Sequence, residues 1–267
     1  MHRLQERKKG VKENMGFLQE ISMSIWFVFG ICLFSFFNVV IYRVPNHMDF
    51  VKGRSICPKC GHTLSALDLI PIISWIVLGR KCRYCKVRIS SRYALVELLG
   101  GALAVVCYMT WGNTVNAILN FSFFGILTII SFVDWDTMLI PNGFVITVLC
   151  IAICACFIPS EVTIIERMIG FFCISLPMFI ITIAIAGAFG GGDIKLMAAS
   201  GLFLGWKLCL LSFFFAVIMG GIYGMIVLLT KKKGRKDQIP FGPFLCIGMC
   251  LAVLFGNECI AWYFCYL

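Results

Sequence analysis

Charge is scarce in this chain. Only 13% of its 267 residues are Asp, Glu, Lys or Arg, while 60% are apolar. Soluble domains are about 25% charged and roughly 45–50% apolar, so a soluble globular fold is excluded: too little polar surface exists to cover such a core. With a mean hydropathy of +0.95 the chain reads as an all-α polytopic membrane protein. Histidine is scarcer still. His2, His47 and His62 all lie outside the apolar runs, which excludes a His-Glu-x-x-His zinc hydrolase site. No Gly-x-Ser-x-Gly elbow marks a serine hydrolase, and no Gly-x-Gly-x-x-Gly loop after a strand marks a soluble dinucleotide or methyltransferase fold. A cleavable signal peptide is missing too: residues 1–20 are polar and basic, and the run from Ile21 to Val44 has no small-residue cleavage site. No internal repeat is visible.

What is present is a series of apolar runs. Ile21–Val44 is long enough to span and ends at Arg43 and Pro45. The runs that follow are Tyr93–Trp111, Val115–Val133, Phe144–Ile158, Ile164–Ala188, Ile194–Leu204, Lys207–Thr230 and Phe241–Tyr266, with a turn expected at Gly205-Trp206. This pattern predicts about eight transmembrane helices. Residues 45–93 form the one long polar segment and carry an excess of Lys and Arg, which the positive-inside rule places in the cytoplasm. Within it, Leu67–Leu78 with Pro71 is too short to span and suits a buried or interfacial segment. Eight spans then put Asp134, Asp193 and the run Lys231–Lys236 inside, while the outside turns near Gly112, Ser160 and Asn257 carry almost no Lys or Arg. The same count puts the basic tail outside, against the rule; a natural start at Met15 would remove that conflict. The division expected is a polar tail (1–20), a first span (21–44), a cytoplasmic zinc-binding loop (45–93) and a transmembrane core (94–267). The net charge of +10 therefore points to anionic lipid headgroups and not to nucleic acid.

Cysteine is abundant, with 15 residues, yet most lie in or beside apolar runs, where Cys acts as a small hydrophobe. Four stand apart. Cys57-Pro58-Lys59-Cys60 and Cys82-Arg83-Tyr84-Cys85 are separated by 21 residues. Two Cys-x-x-Cys turns at this spacing point four thiolates at one ion, zinc or less often iron. A closed four-Cys shell leaves no position for water, so the site is structural. The alternative is two redox pairs or free thiols. His62 is a further candidate ligand, although four Cys already complete the shell.

Two carboxylates form the second constellation. Asp193 follows Gly190, Gly191 and Gly192 between apolar runs; an Asp near a bilayer centre costs roughly 2.5–3.5 kcal/mol on insertion scales. Asp134 sits at the cytoplasmic end of the Val115–Val133 run, before the stop at Pro141 and Asn142. At matching depth the two can share a proton, the ionised one (Asp134 on this reading) activating a water and the other polarising a carbonyl. That is aspartyl-protease chemistry. The bland alternative is two membrane-edge acids paired with Lys195 or Arg167. Asp136 is the rival for Asp134. The glycines of 190–192 let a substrate backbone lie near Asp193, and Lys195 either tunes Asp193 or binds substrate. Glu97 either neutralises Arg92 or Lys195 or touches substrate.

These motifs, in this order, resemble the bacterial type IV prepilin peptidases, membrane aspartyl proteases with a Gly-x-Gly-Asp motif. The resemblance runs from about residue 25 through Phe36–Pro45, Gly53–Cys60, Cys82–Cys85, Asp134 with Pro141, Gly190–Leu196 and Ile239–Phe244; Asn142 departs from the Asp that many members carry. It implies a cytoplasmic-membrane endopeptidase that removes the basic leader of type IV pilins or pseudopilins, including those of competence and secretion, at the cytoplasmic face. It also implies N-methylation of the new terminus from S-adenosylmethionine, with structural zinc in the cysteine loop. A non-catalytic membrane scaffold docking an assembly apparatus is the rival from another class. A proton relay or transporter fits poorly, since both acids fall on one side.

Overall fold

The computed structural model describes residues 2–160, 162–185, 187–230 and 239–265, with only the backbone course given for residues 2–15. The expected basic run Lys231–Lys236 lies outside the described residues. Nine α-helices and no strands are found among the described residues: α1 (His2–Arg43), α2 (Ile73–Val77), α3 (Ser91–Trp111), α4 (Val115–Thr137), α5 (Asn142–Cys156), α6 (Ile164–Cys173), α7 (Ser175–Ala184), α8 (Gly191–Leu229) and α9 (Gly242–Cys265).

Among the described residues, six helical stretches are long and apolar enough to cross a membrane: Gly16–Arg43, α3, α4, Ile164–Ala184 (α6 with α7), α8 and α9. The shorter α5 is apolar as well. Helix α8 contains a break where the sequence pattern puts its turn. Gly205 has φ 74° and ψ 169°, so the 39-residue element is two helices joined at a kink. Only glycine adopts that backbone at little cost. With α8 divided at its kink and α5 included, the apolar helical segments among the described residues number eight, against six stretches long enough to span. Differences from the sequence reading are local. Helix α1 extends through the polar tail to His2, and the Ile164–Ala188 run is divided at Ile174 and ends at Ala184. Asn257 lies inside α9, because the apolar residues that follow it continue the helix. The Leu67–Leu78 stretch is a 3₁₀ turn (Ala66–Leu69) and the short α2, with Leu67, Ile73, Ile76 and Val77 exposed, as an interfacial segment requires.

The chain divides into two compact units, residues 1–121 and 122–267. In the first, α1 packs on α3 through small residues. A Cβ on Gly30 would sit 2.3 Å from the Gly100 carbonyl oxygen, so the backbones touch, as small residues allow between membrane helices. At the end of α1 the buried Arg43 donates to the carbonyls of Asp49 (2.9 Å), Lys52 (3.2 Å) and Arg54 (2.9 Å), tying the following loop to the helix. Ser90 caps α3 by accepting from the Arg92 N–H at 3.2 Å.

In the second unit, α8 is the central element and packs against α5, α6, α7 and α9. Helix α6 begins at a capping box: Thr163 Oγ1 accepts from the Glu166 N–H at 3.2 Å and Glu166 Oε2 from the Thr163 N–H at 3.0 Å. The kink at Gly205 frees carbonyls at the end of the first half of α8. Buried Arg167 of α6 takes them, donating to Leu202 O (3.1 Å), Phe203 O (2.8 Å) and Ser160 Oγ (3.0 Å). Its charge is therefore dispersed over a helix C-terminus, where a cation is favoured.

Helices α6 and α8 meet backbone to backbone: a Cβ on Gly201 would stand 2.1 Å from the Gly170 carbonyl oxygen, whereas one on Gly221, also in α8, meets nothing within 4 Å. Gly201→Ala is expected to destabilise the second unit by about 1–3 kcal/mol through overpacking, with Gly221→Ala unchanged or slightly more stable. Thermal denaturation in detergent checks both; equal melting of the two variants would contradict this packing.

Candidate active site and metal centre

Asp134 occupies the last turn of α4, and Met138 closes that helix by donating its N–H to the Asp134 carbonyl at 2.8 Å with a φ of 54°. The chain then turns through Pro141 into α5. The Asp134 side chain is buried, with 5% of its surface exposed. Its Oδ2 accepts from the backbone N–H of Gly242 at 3.0 Å. Gly242 is the first residue of α9, so one of that helix's unpaired N–H groups is aimed at the carboxylate. The approach tolerates no side chain: a Cβ on Gly242 would fall 2.6 Å from Asp134 Oδ2. Phe241 is held against Phe189 and Phe213, at 6.0 and 6.4 Å between ring centroids, which fixes the peptide that carries this N–H.

Asp193 lies in the first turn of α8 and is buried. Its carboxylate turns back towards Gly190, the residue that caps the helix. Asp134 and Asp193 are close enough to interact electrostatically, and buried Cys246, one turn into α9, is within electrostatic range of both. Two buried acids thus converge on the N-terminal turns of α8 and α9. Among the described residues neither pairs with a cation. Lys195 instead donates to Asn142 Oδ1 at 3.0 Å, and Arg167 serves the α8 kink. Pairing with Lys195 or Arg167, the bland alternative, is therefore not what the structure contains. Asp136, two residues beyond Asp134, is exposed.

The glycines before Asp193 differ from one another. A Cβ on Gly192 would stand 2.9 Å from Ile140 Cβ, so this glycine seats the α4–α5 turn against α8; a Cβ on Gly190 would stand 3.1 Å from Asp193 Oδ2 itself. Gly191 is exposed and has nothing within 4 Å. Glu97 belongs to the first unit. It is buried in α3, and its carboxylate accepts from the Ile72 N–H at 2.8 Å.

The first unit also brings together Cys57, Cys60, Cys82 and Cys85, with all four Sγ atoms within 4.8 Å of one another. Each Cys-x-x-Cys pair sits on a tight turn. Gly61 donates to the Cys57 carbonyl and Lys86 to that of Cys82, at 2.9 and 3.1 Å, and both donors have positive φ. Cys57 Sγ and Cys85 Sγ are 3.9 Å apart. Four sulfurs around one ion at a Zn–S distance of about 2.3 Å stand roughly 3.8 Å apart, so the cluster is of a size to hold a metal ion. The N–H groups of Cys60 and Lys59 hold the Cys57 thiol below its ordinary value, at about 7. His62 is not in the cluster; its ring packs on Tyr84 at 3.6 Å.

The fold and this site define an intramembrane protein with a buried carboxylate pair, unpaired by any cation among the described residues, and a four-thiol cluster of a size to hold a metal ion. Residues 28–111 match the family model described as Bacterial Peptidase A24 N-terminal domain, and residues 121–225 match that of the Type IV leader peptidase family. The prepilin leader peptidase/N-methyltransferase of Bacillus subtilis (strain 168) is 34% identical over 241 residues, covering 90% of this chain and 97% of that protein. The protein of the same name in Aeromonas salmonicida (strain A449) is 31% identical over 90% of this chain and 93% of its own length. The chain belongs to the type IV leader peptidase family. No solved structure matches it.

Sequence reasoning missed the part played by Gly242. A backbone N–H has no side-chain signature, and the one available signal was the glycine inside Ile239-Pro240-Phe241-Gly242-Pro243 at a helix start. For the metal centre, elemental analysis of the purified protein is expected to find bound metal that Cys57→Ser and Cys82→Ser each lose. Because protons compete for the thiolates, metal is expected to leave as pH falls. Metal retained by both variants would contradict the assignment.

Proposed function

We propose that this chain is an intramembrane aspartic endopeptidase that removes the basic leader from type IV prepilin-like precursors and N-methylates the residue thereby exposed. The observation that carries the protease reading is the pair Asp134 and Asp193, buried together, with a helix-terminal N–H on Asp134 and no cation among the described residues paired with either. An acid pair kept for charge balance would be found on Lys195 or Arg167. In the proposed reaction one carboxylate takes a proton from a water, whose oxygen bonds to the scissile carbonyl carbon. The partner carboxyl gives its proton to the carbonyl oxygen. Collapse of the tetrahedral adduct breaks the C–N bond, and the amine leaves with a proton from the dyad. The roles are assigned to the pair and not divided between its members.

The N–H of Gly242 holds Asp134 against the α9 terminus, and Gly191 is the glycine whose open face would admit an extended substrate backbone. Lys195, exposed on Asn142, is placed to meet the substrate rather than Asp193. The cysteine cluster takes zinc, held by Cys57, Cys60, Cys82 and Cys85 as a closed structural shell that staples the polar loop. The excess of Lys and Arg in that loop supports a cytoplasmic location for it, for both acids and for the leader, in a bacterial cytoplasmic membrane. Methylation forms a bond between the new terminal nitrogen and the methyl carbon of S-adenosylmethionine. The S–C bond breaks, its electron pair stays on sulfur, and the nitrogen releases a proton.

Incubation with a synthetic prepilin, with and without S-adenosylmethionine, read by mass spectrometry, tests this reading. Wild type is expected to give the shortened peptide, and the peptide plus one methyl when the donor is present. Asp134→Asn and Asp193→Asn that insert normally are expected to lose cleavage by about four orders of magnitude. A scaffold role predicts that both variants keep function and the cysteine variants lose it. Gly242→Ala, which pushes Asp134 off its N–H, is expected to slow cleavage roughly 10- to 100-fold without loss of metal; a wild-type rate in that variant would remove Gly242 from the machinery.

A further inference from the structure

Peptide hydrolysis creates a charge problem at the acid pair. The water oxygen bonds to the scissile carbonyl carbon, the C–N bond breaks, and the leader is released as a carboxylic acid whose proton passes to the new amine. At neutral pH the products are a carboxylate and an ammonium, since a terminal carboxyl titrates at about 3.3–3.7 and a terminal amine at about 7.7–8.0. The ammonium is favoured beside Asp134 and Asp193. The carboxylate is not: it is a third acid beside two that are already buried, and like charges at one site disfavour one another. A cation that is not spent on the pair offsets that repulsion.

Among the described residues the second unit has three cations, Arg167, Lys195 and Lys207. Arg167 is held by the carbonyls freed at the α8 kink, and Lys207 sits on Glu166 at 3.3 Å. Lys195 differs in both place and partner. It lies two residues after Asp193 in the first turns of α8, it is exposed, and it donates to Asn142 Oδ1 at 3.0 Å. That partner is a neutral amide, so the ammonium keeps its full charge. Asn142, accepting through Oδ1, still has an amide nitrogen with two N–H donors for an incoming acceptor. Asn142 follows the α4–α5 turn whose Ile140 is seated against Gly192. Ammonium and amide are therefore carried by the two segments, 140–142 and 191–195, that meet beside Asp193. A lysine charge rides on a flexible four-carbon stem, so it can follow a carboxylate without movement of the helix.

We infer that Lys195, with Asn142, binds the carboxylate that cleavage creates at the end of the leader. The inference rests on the protease reading above and gives Lys195 a part in holding the product, not in activating the water. The intact peptide offers a neutral carbonyl at that point, so the ammonium gains its partner when the bond is broken. The site also has a direction. The same charge that holds the new terminus repels the basic side chains of the leader, so the leader is held by its end while its basic part is turned away from α8.

The test uses the full chain in lipid nanodiscs and two synthetic leader peptides that are identical except for the last group, a free carboxylate in one and a carboxamide in the other. Equilibrium binding of each is measured at neutral pH and low salt, alongside cleavage of the synthetic prepilin. Wild type is expected to bind the carboxylate peptide about tenfold or more tightly than the carboxamide, with the difference shrinking as salt is raised. Lys195→Met is expected to bind the two alike. Asn142→Asp, which gives Lys195 a counter-charge, is expected to reduce the preference to about threefold or less, and Lys195→Arg to keep it. A purely structural role for Lys195 would move the affinities of both peptides together. No preference for the carboxylate in wild type, or a preference that survives in Lys195→Met, would overturn the assignment while leaving the protease reading standing. A wild-type protein that cleaves no prepilin and binds neither peptide would instead overturn the protease reading, and the site with it.

Discussion

The second unit is built around the problem of burying two carboxylates in an apolar helical bundle with no cation among the described residues to pair with them. A buried acid must find donors, and here the donors are backbone. Gly242 at the start of α9 serves Asp134, and Asp193 turns back on Gly190, the residue that caps α8. A helix N-terminus offers both unpaired N–H groups and a favourable dipole. Backbone donors also cannot be titrated or displaced, unlike a lysine, so the pair stays free to exchange protons with a substrate. The requirement explains why both motifs are rich in glycine. The donor peptide has to approach a carboxylate more closely than a Cβ allows, and the α4–α5 turn has to seat Ile140 against Gly192.

The same logic governs the other ionised group in the apolar part of that unit. Arg167 is buried, yet it meets no acid. It meets the carbonyls that the Gly205 kink releases from α8. The half of α8 that begins at Asp193 is thus fixed at both ends, by the carboxylate turned back on Gly190 at one and by an arginine at the other. Close backbone contact between Gly170 and Gly201 holds the same segment laterally. Positional accuracy at the acid pair rests on these contacts, since apolar packing between membrane helices is weakly directional.

Much of this was legible in the sequence because the relevant chemistry is carried by side chains in fixed spacing. Two Cys-x-x-Cys turns specify a four-thiol cluster almost without reference to the rest of the chain. Asp134 and Asp193 stand out because acids are costly in apolar runs. The Gly205 turn was visible as a break between two runs each long enough to be a helix. What was hidden depends on backbone. The N–H of Gly242 leaves no mark in composition. The partner of Arg167 exists only once a kink frees carbonyls, so the sequence offered Asp134 and Asp193 as its more obvious partners. Lys195 beside Asp193 in sequence invited the same misassignment, although one residue along a helix turns the side chain about 100° away, and it lies on Asn142. The division of Ile164–Ala188 at Ile174 was masked by unbroken hydrophobicity. Glu97 was visible as an acid in a span, but its partner is a backbone N–H of the polar loop.

The central claim is that Asp134 and Asp193 act as one unit. Single-turnover cleavage of a prepilin peptide by Asp134→Asn, Asp193→Asn and the double variant, each verified to be inserted and metal-loaded, tests it most directly. Groups that act together are non-additive when removed. The double variant is therefore predicted to cleave at about the rate of the slower single variant. A double variant slowed by the product of the two single effects, or either single variant cleaving at the wild-type rate, would contradict the account.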